Sequence, residues 1–159
     1  RRFSSKWERS SKRATPWCPC ARGALMTVFV PPQSWIGRRG EFDAPVTEAD
    51  TAIAVGSGDV AVLATPQLIA WMERATVLAV DAEMAQECTS VGVSVEVAHR
   101  RPTPVGARVT TWATVTNVDA RRITFEVGAD HVAPSGERIQ GIGRGTIVRA
   151  IVERASFGS

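Results

Sequence analysis

Two different patterns of apolar residues follow each other in the middle of the chain. In the segment TPQLIAWMERATVLAV, residues 65–80, apolar side chains recur every three or four positions, which predicts an amphipathic helix. In TSVGVSVEVAH, residues 89–99, the period changes to two, which predicts a strand. Strict alternation puts Val91, Val93, Val95, Val97 and His99 on one face of that strand, and Ser90, Gly92, Ser94, Glu96 and Ala98 on the other.

Three more strands follow, joined by short turns. These strands are predicted at residues 108–118, 123–129 and 139–152, where the sequence is rich in Thr and Val or alternates between apolar and polar residues. Upstream of the helix the pattern is weaker. A short strand is predicted at residues 28–30 and another around 47–55, followed by a loop at 56–59. The order predicts an α+β fold with one long helix. One helix cannot cover five strands, so we expect an oligomer that joins sheets edge to edge.

Composition supports one globular domain with an additional tail. Hydrophobic residues make up 44% of the 159 residues and charged residues 22%. No apolar run approaches the ~18–20 residues that a membrane helix needs, so no membrane partner is expected. Residues 1–25 carry a net charge of +6 and residues 26–159 a net charge of −3. We therefore predict a basic disordered extension at 1–25 and a single domain at 26–159.

The basic extension leaves two other interpretations open, a transit-like segment and a weak nucleic-acid arm. A nucleic-acid partner is not expected, because the domain itself is acidic. The three cysteines, Cys18, Cys20 and Cys88, give neither a disulfide framework nor a zinc-site spacing. We therefore expect a cytoplasmic protein without a metal site.

Thr65, Glu73 and His99 are three side chains suited to acyl-transfer chemistry within 35 residues. His99 is the natural general base, because the ordinary pKa of histidine lies near neutrality. It could equally be a structural histidine bonded across the core. Glu73 flanks the apolar stripe and could be a base, a nucleophile, a group that orients the histidine, or a surface residue. Thr65 is a good N-cap, with Pro66 at the first helical position.

Other polar and aromatic residues have simpler interpretations. The Arg100-Arg101 pair could bind phosphates or form a solvated turn. His131, near the end of a strand, is predicted at the surface, and Trp71 and Trp112 are predicted to pack. No G-x-S-x-G motif is present, which argues against an α/β-hydrolase.

Several motifs together resemble the fluoroacetyl-CoA thioesterase-like family of hotdog proteins. In that fold a curved antiparallel sheet wraps a central helix and two subunits pair. The resemblance covers about residues 45–152. The motifs are V-L-A-T-P-x-L-I-A-x-M-E (62–73), T-S-V-G-V-x-V-x-V-x-H (89–99), P-T-P-V-G (102–106), R-R-I-T-F-E-V (121–127) and G-x-G-T-x-x-R (143–149).

The resemblance implies roles for individual residues. It makes Thr65, Glu73 and His99 the catalytic group, with matching spacing. It places Gly92 near the acyl group, and Arg149 in the CoA pocket or the dimer. We add Arg100 as a candidate ligand of the CoA phosphates. The implied function is hydrolysis of a short- or medium-chain acyl-CoA by a homodimer, or a dimer of dimers. No cofactor is expected beyond the CoA of the substrate.

Two departures from the family argue against fluoroacetyl-CoA as the substrate. The fluoroacetyl-specific member carries lid phenylalanines just before its threonine, whereas no phenylalanine occurs here between Phe42 and Phe125. It also has a histidine at the position of Ile147. Two alternatives stay open: a non-enzymatic acyl-CoA-binding domain, and a hotdog hydratase or dehydratase acting on an acyl thioester.

Overall fold

The computed structural model describes residues 29–157. The predicted extension at 1–25 lies outside the described residues. The first strand, β1, runs from Arg39 to Pro45. A 3-10 turn at Glu48–Asp50 and a one-turn helix α1, Ala52–Val55, follow it. The strand predicted around residues 47–55 is therefore wrong. Thr51 caps α1 by accepting a hydrogen bond from the Ala54 N–H, and this local contact overrides the weak alternation.

The rest of the chain follows the predicted order closely. Helix α2 spans Thr65–Val80, as predicted. The four remaining strands are β2 (Cys88–His99), β3 (Arg108–Asp119), β4 (Arg122–Val132) and β5 (Arg138–Glu153). The short strand predicted at 28–30 is not formed at Phe29 and Val30, which are irregular, and its first residue lies outside the described part. No helix among residues 29–157 is long and apolar enough to span a membrane.

The five strands form one antiparallel sheet in the order β1-β3-β4-β5-β2. Helix α2 packs on one face, mainly against β1 and β3. Gly40 of β1 permits this approach, because a Cβ there would collide with the backbone of Ala75 and Ala79 in the helix. In this strand order, β2 forms one edge of the sheet. Two strands, β4 and β5, separate it from β1 and β3, which carry most of the helix contacts.

The core lies between α2 and the sheet. The buried helix residues are Leu68, Trp71, Met72, Ala75, Thr76, Ala79 and Val80. This set confirms the predicted stripe and the packing of Trp71. Residues 29–157 leave the opposite side of the helix uncovered, since Ala70 is exposed and Leu78 is 44% exposed. On the far face of the sheet, Trp112 packs between the guanidinium groups of Arg39 and Arg144, at 4.6 and 5.1 Å from the ring centre.

Candidate active site

Thr65 is the first residue of α2, and its hydroxyl points to a histidine. Ala64 takes the N-cap position and Thr65 makes no capping bond, so the predicted N-cap role of Thr65 is wrong. Its Oγ1 lies 3.0 Å from His99 Nδ1. This distance is within the range expected for a hydroxyl and its base. The helix start also offers N–H groups without intrahelical acceptors, which is the environment that a developing oxyanion needs.

His99, the last residue of β2, is half-buried. Burial lowers its pKa from the ordinary value, and the nearby Arg101 backbone raises it by a smaller amount. The ring is therefore neutral at neutral pH and able to accept a proton. Its second nitrogen, Nε2, is enclosed and has no hydrogen-bond partner among the described residues.

Thr65 and His99 open onto a cleft of about 370 Å³. One wall comes from the segment before α2 and the other from the segment that continues β2 beyond His99. The lining residues are Ala52, Ser57, Gly58, Val60, Val62, Leu63, Thr65, His99, Arg100, Arg101 and Pro102. Arg100, a predicted substrate-binding residue, thus lies at the same cleft as the Thr65–His99 pair. It also lines a second cleft of about 590 Å³ beside Glu126 and Arg144.

Glu73 is not brought to this cleft within one chain. It lies eight residues after Thr65, and a helix rises ~1.5 Å per residue, so ~12 Å separate them along α2. The Glu73 carboxylate is half-buried and its Oε1 accepts a hydrogen bond from Arg149 Nη1 at 3.3 Å. The three residues predicted as one catalytic group therefore form two separate half-sites in a single chain.

Arg149 holds the second half-site together. It is 7% exposed, and burial lowers its pKa, with the Glu73 charge opposing this effect. Its Nε donates to Ser90 Oγ at 2.9 Å and its Nη2 to the Ser90 carbonyl oxygen at 2.6 Å. Every nitrogen of the guanidinium group thus has a protein partner, and the group is directed at Glu73.

A β-bulge explains why Ser90 was missed and how Gly92 reaches the site. The pairing of β2 with β5 shifts between Gly92 and Ser94, so Val93 is the extra residue. Before the bulge Gly92 pairs with Arg149, and after it His99 pairs with Gly143. Ser90 and Gly92 therefore share the face of His99, contrary to the strict alternation predicted. A Cβ at Gly92 would collide with Glu73 Oε1. A glycine inside the strand was the available sign of a bulge.

His131 is not at the surface as predicted, since it is only 2% exposed. Its Nδ1 lies 2.9 Å from the hydroxyl of Thr103, which is fully buried. Its Nε2 has no partner among residues 29–157, and burial lowers its pKa while Glu137 opposes this by less. The uninterrupted alternation of β4 from Phe125 through Val127 and Ala129 places the ring on the buried face of the sheet.

No group of three or more His, Cys, Asp or Glu side chains in the described range 29–157 is arranged to hold a metal ion.

Solved structures with a similar fold include several thioesterases. The fluoroacetyl-CoA thioesterase FlK is 27% identical, with a TM-score of 0.67 over 77% of this chain and 90% of its own. A thioesterase-superfamily protein from Thermus thermophilus is 23% identical, with a TM-score of 0.65 over 76% of this chain and 85% of its own. A hot-dog-like protein from Thermanaerovibrio acidaminovorans is 24% identical, with a TM-score of 0.64 over 76% and 84%. The predicted hotdog fold is confirmed.

The sequence comparison agrees with the structural one. A search of curated proteins finds no significant match. The sequence profile of the fluoroacetyl-CoA-specific thioesterase family matches residues 46–155, which is more than half of the chain. The chain therefore belongs to this family of hotdog thioesterases.

Proposed function

We propose that this protein hydrolyses a short- or medium-chain acyl-CoA to the free acid and CoA. The observation that carries the proposal is the 3.0 Å contact between Thr65 Oγ1 and His99 Nδ1 at the edge of an open cleft. A hydroxyl beside a neutral imidazole is the minimal unit for acyl transfer. The family membership directs that chemistry to a thioester.

His99 acts as the base in this proposal. Water, or the Thr65 hydroxyl, adds to the thioester carbonyl carbon while the imidazole takes its proton. The C–S bond then breaks, and the sulfur of CoA leaves with that proton. When Thr65 is the nucleophile, water releases the acyl group in a second step with the same base. The N–H groups at the start of α2 stabilise the oxyanion in both routes.

Glu73 needs a second copy of the chain to join this chemistry. Strand β2 is an edge of the sheet, and it exposes two apolar side chains, Val93 at 49% and Val95 at 42%. An exposed apolar edge favours pairing with another strand. We infer a homodimer in which the two β2 strands pair antiparallel, joining the sheets edge to edge.

The register of that pairing follows from the two half-sites. Because Val93 is the extra residue of the bulge, Gly92 and His99 each lie three paired positions from Glu96, and a two-fold axis at Glu96 relates them. Such an axis places Gly92 of one protomer opposite His99 of the partner subunit. Because Glu73 lies against Gly92, its carboxylate then faces the partner's cleft. There it can orient the imidazole, act as a base or act as a nucleophile, with Arg149 holding its position.

The proposed substrate is an unfluorinated acyl-CoA. The cleft wall that precedes Thr65 carries Val60 and Val62, and no phenylalanine, so the lid associated with fluoroacetyl selectivity is absent there. Arg100 at the cleft is proposed to bind a CoA phosphate, because a guanidinium pairs well with phosphate oxygens.

Thiol release from a panel of acyl-CoA esters tests the function. The panel runs from acetyl- to hexanoyl-CoA and includes fluoroacetyl-CoA. We expect turnover of at least one unfluorinated ester, and no preference for the fluorinated one. Rapid quenching followed by intact mass measurement reports an acyl group on Thr65, on Glu73 or on neither. No hydrolysis of any ester, or full activity in both His99→Ala and Glu73→Ala, contradicts the proposal.

The two alternatives are separated by the same protein sample. Hydration of an enoyl-CoA without hydrolysis favours a hydratase. Tight binding of CoA esters without turnover of any of them favours a binding domain.

A further inference from the structure

The second Thr–His pair, Thr103 with His131, has no part in the chemistry proposed above. Both side chains are buried, and the Oγ1–Nδ1 distance is 2.9 Å. Burying an imidazole and a hydroxyl is unfavourable unless they bond each other, and one ring nitrogen stays without a partner among the described residues. Two aliphatic side chains would fill the same space at a lower desolvation free energy, so the bond between the two polar groups is expected to have a structural role.

Thr103 lies where the two walls of the Thr65–His99 cleft meet. Its carbonyl oxygen accepts a hydrogen bond from the Leu63 N–H at 2.9 Å, and Pro104 forms an isolated bridge with Val62. Leu63 belongs to the wall that leads into Thr65. Pro102, directly before Thr103, belongs to the wall that starts at His99. Thr103 is therefore bonded to one wall and covalently continuous with the other.

The wall that starts at His99 is fixed at both ends. The Arg100 N–H donates to the Ile142 carbonyl oxygen at 2.7 Å, close to His99. At the other end, the Thr103 hydroxyl bonds to His131 of β4. Removing the second attachment leaves His99 held by its strand and by the Arg100 bond. It loosens Thr103, and with it the bond between the Thr103 carbonyl oxygen and the Leu63 N–H that joins the two walls.

We propose that His131 is a positioning residue, which through Thr103 holds the two walls of the cleft at the separation that binds the substrate. The inference rests on the proposed function, because the cleft is taken to bind the acyl-CoA. His131 does not touch the reacting atoms. Its loss acts on the width of the cleft, and the Thr65–His99 contact itself is retained.

Amide hydrogen exchange, followed by NMR without substrate, tests the attachment independently of activity. In Thr103→Val, which removes the hydroxyl and keeps the shape, we expect the Leu63 amide to exchange at least about fivefold faster. The Gly37 amide, bonded to the Val115 carbonyl oxygen away from the cleft, serves as the control and keeps its rate. The single variants Thr103→Ser and His131→Asn each retain a hydrogen-bonding group, so the Leu63 amide should exchange as slowly in them as in the wild-type protein.

Steady-state kinetics supply the second readout. Thr103→Val should raise KM about fivefold and change kcat by less than about twofold, while Thr103→Ser stays near wild type. The inference is overturned when Leu63 exchange is unchanged in Thr103→Val, or when Gly37 exchange rises equally, since that indicates general loosening. A protein that hydrolyses no thioester refutes the proposed function, while the exchange data still decide whether His131 holds the walls.

Discussion

The chain contains two Thr–His pairs with nearly the same contact and very different surroundings. Thr65 and His99 meet at 3.0 Å and Thr103 and His131 at 2.9 Å, both through Oγ1 and Nδ1. In both pairs burial lowers the pKa of the histidine. Thr65 is exposed on an open cleft, whereas Thr103 is fully buried. The local contact is thus insufficient to define a reactive site; access for a substrate distinguishes the two pairs.

The same comparison applies to the two half-sites of helix α2. The half-site at its start has a hydroxyl and a base without a carboxylate. The half-site two turns later has a carboxylate held by Arg149, without a base. In the proposed dimer, pairing of two copies brings these groups together, so the oligomeric state is part of the proposed chemistry.

Subunit complementation gives the largest expected effect, because it converts inactive proteins into an active one. His99→Ala and Glu73→Ala homodimers should both be nearly inactive. Mixed after unfolding and refolding, they form heterodimers with one intact composite site. Random pairing predicts recovery of about a quarter of wild-type activity. Wild-type protein taken through the same refolding is the control. Absence of recovery, with heterodimers demonstrated by native mass spectrometry, contradicts the composite site.

Gly92→Ala is expected to lower kcat about tenfold, since the added Cβ displaces the Glu73 carboxylate from its position. The control is Gly58→Ala, where the added Cβ makes only an ordinary 3.4 Å contact with Ala52. Because Gly58 lines the cleft, the control readout is kcat, which should stay near the wild-type value. Steady-state thiol release measures both variants. Equal activity of the Gly92 variant and wild type would show that the position of Glu73 is unimportant.

Ser90→Ala should have a smaller effect, a two- to fivefold decrease of kcat in the same thiol-release assay. This decrease corresponds to about the free energy of one hydrogen bond. The substitution removes the hydroxyl that accepts from Arg149 Nε and leaves the bond to the Ser90 carbonyl oxygen. Ser94→Ala, after the bulge on the exposed part of β2, is the control. A larger loss in the Ser94 variant would argue against the role of Arg149.

The smallest effect concerns the pH dependence of stability. Since the pKa of His99 and that of His131 are both lowered, the unfolded chain binds more protons than the folded chain below about pH 6.5. The free energy of unfolding should therefore fall as the pH drops from 7 to 5.5. In His131→Asn this fall should be shallower, as measured by urea denaturation at both pH values. An unchanged slope would show that His131 is not responsible.

Local patterns in the sequence predicted the local structure well. The periodicity of residues 65–80 fixed the bounds of α2, because a helix is stabilised by contacts within the same segment. The first strand was misplaced: the weak alternation around Thr47 gave way to capping by Thr51, and β1 lies earlier. Strand order depends on distant pairings, which no local pattern contains.

The sequence predicted which residues belong to the candidate site, but it did not predict how they are arranged in space. The spacing identified Thr65, Glu73 and His99, but helix geometry separates Glu73 from the other two within one chain. The extra residue Val93 reversed the alternation of β2, so Ser90 could not be found by counting from His99. His131 continues the alternation of Val127 and Ala129, which was a local sign of its burial, whereas its bond to Thr103 depends on a distant loop.

The most direct test compares the two pairs in one assay. His99→Asn and His131→Asn make the same substitution in each pair, keeping a polar group near the Thr hydroxyl and removing the imidazole. With the best acyl-CoA of the panel, His99→Asn should lower kcat/KM at least about 100-fold, and His131→Asn less than about threefold. Similar losses in both variants, or a larger loss in His131→Asn, would contradict the assignment of Thr65 and His99 as the hydrolytic pair.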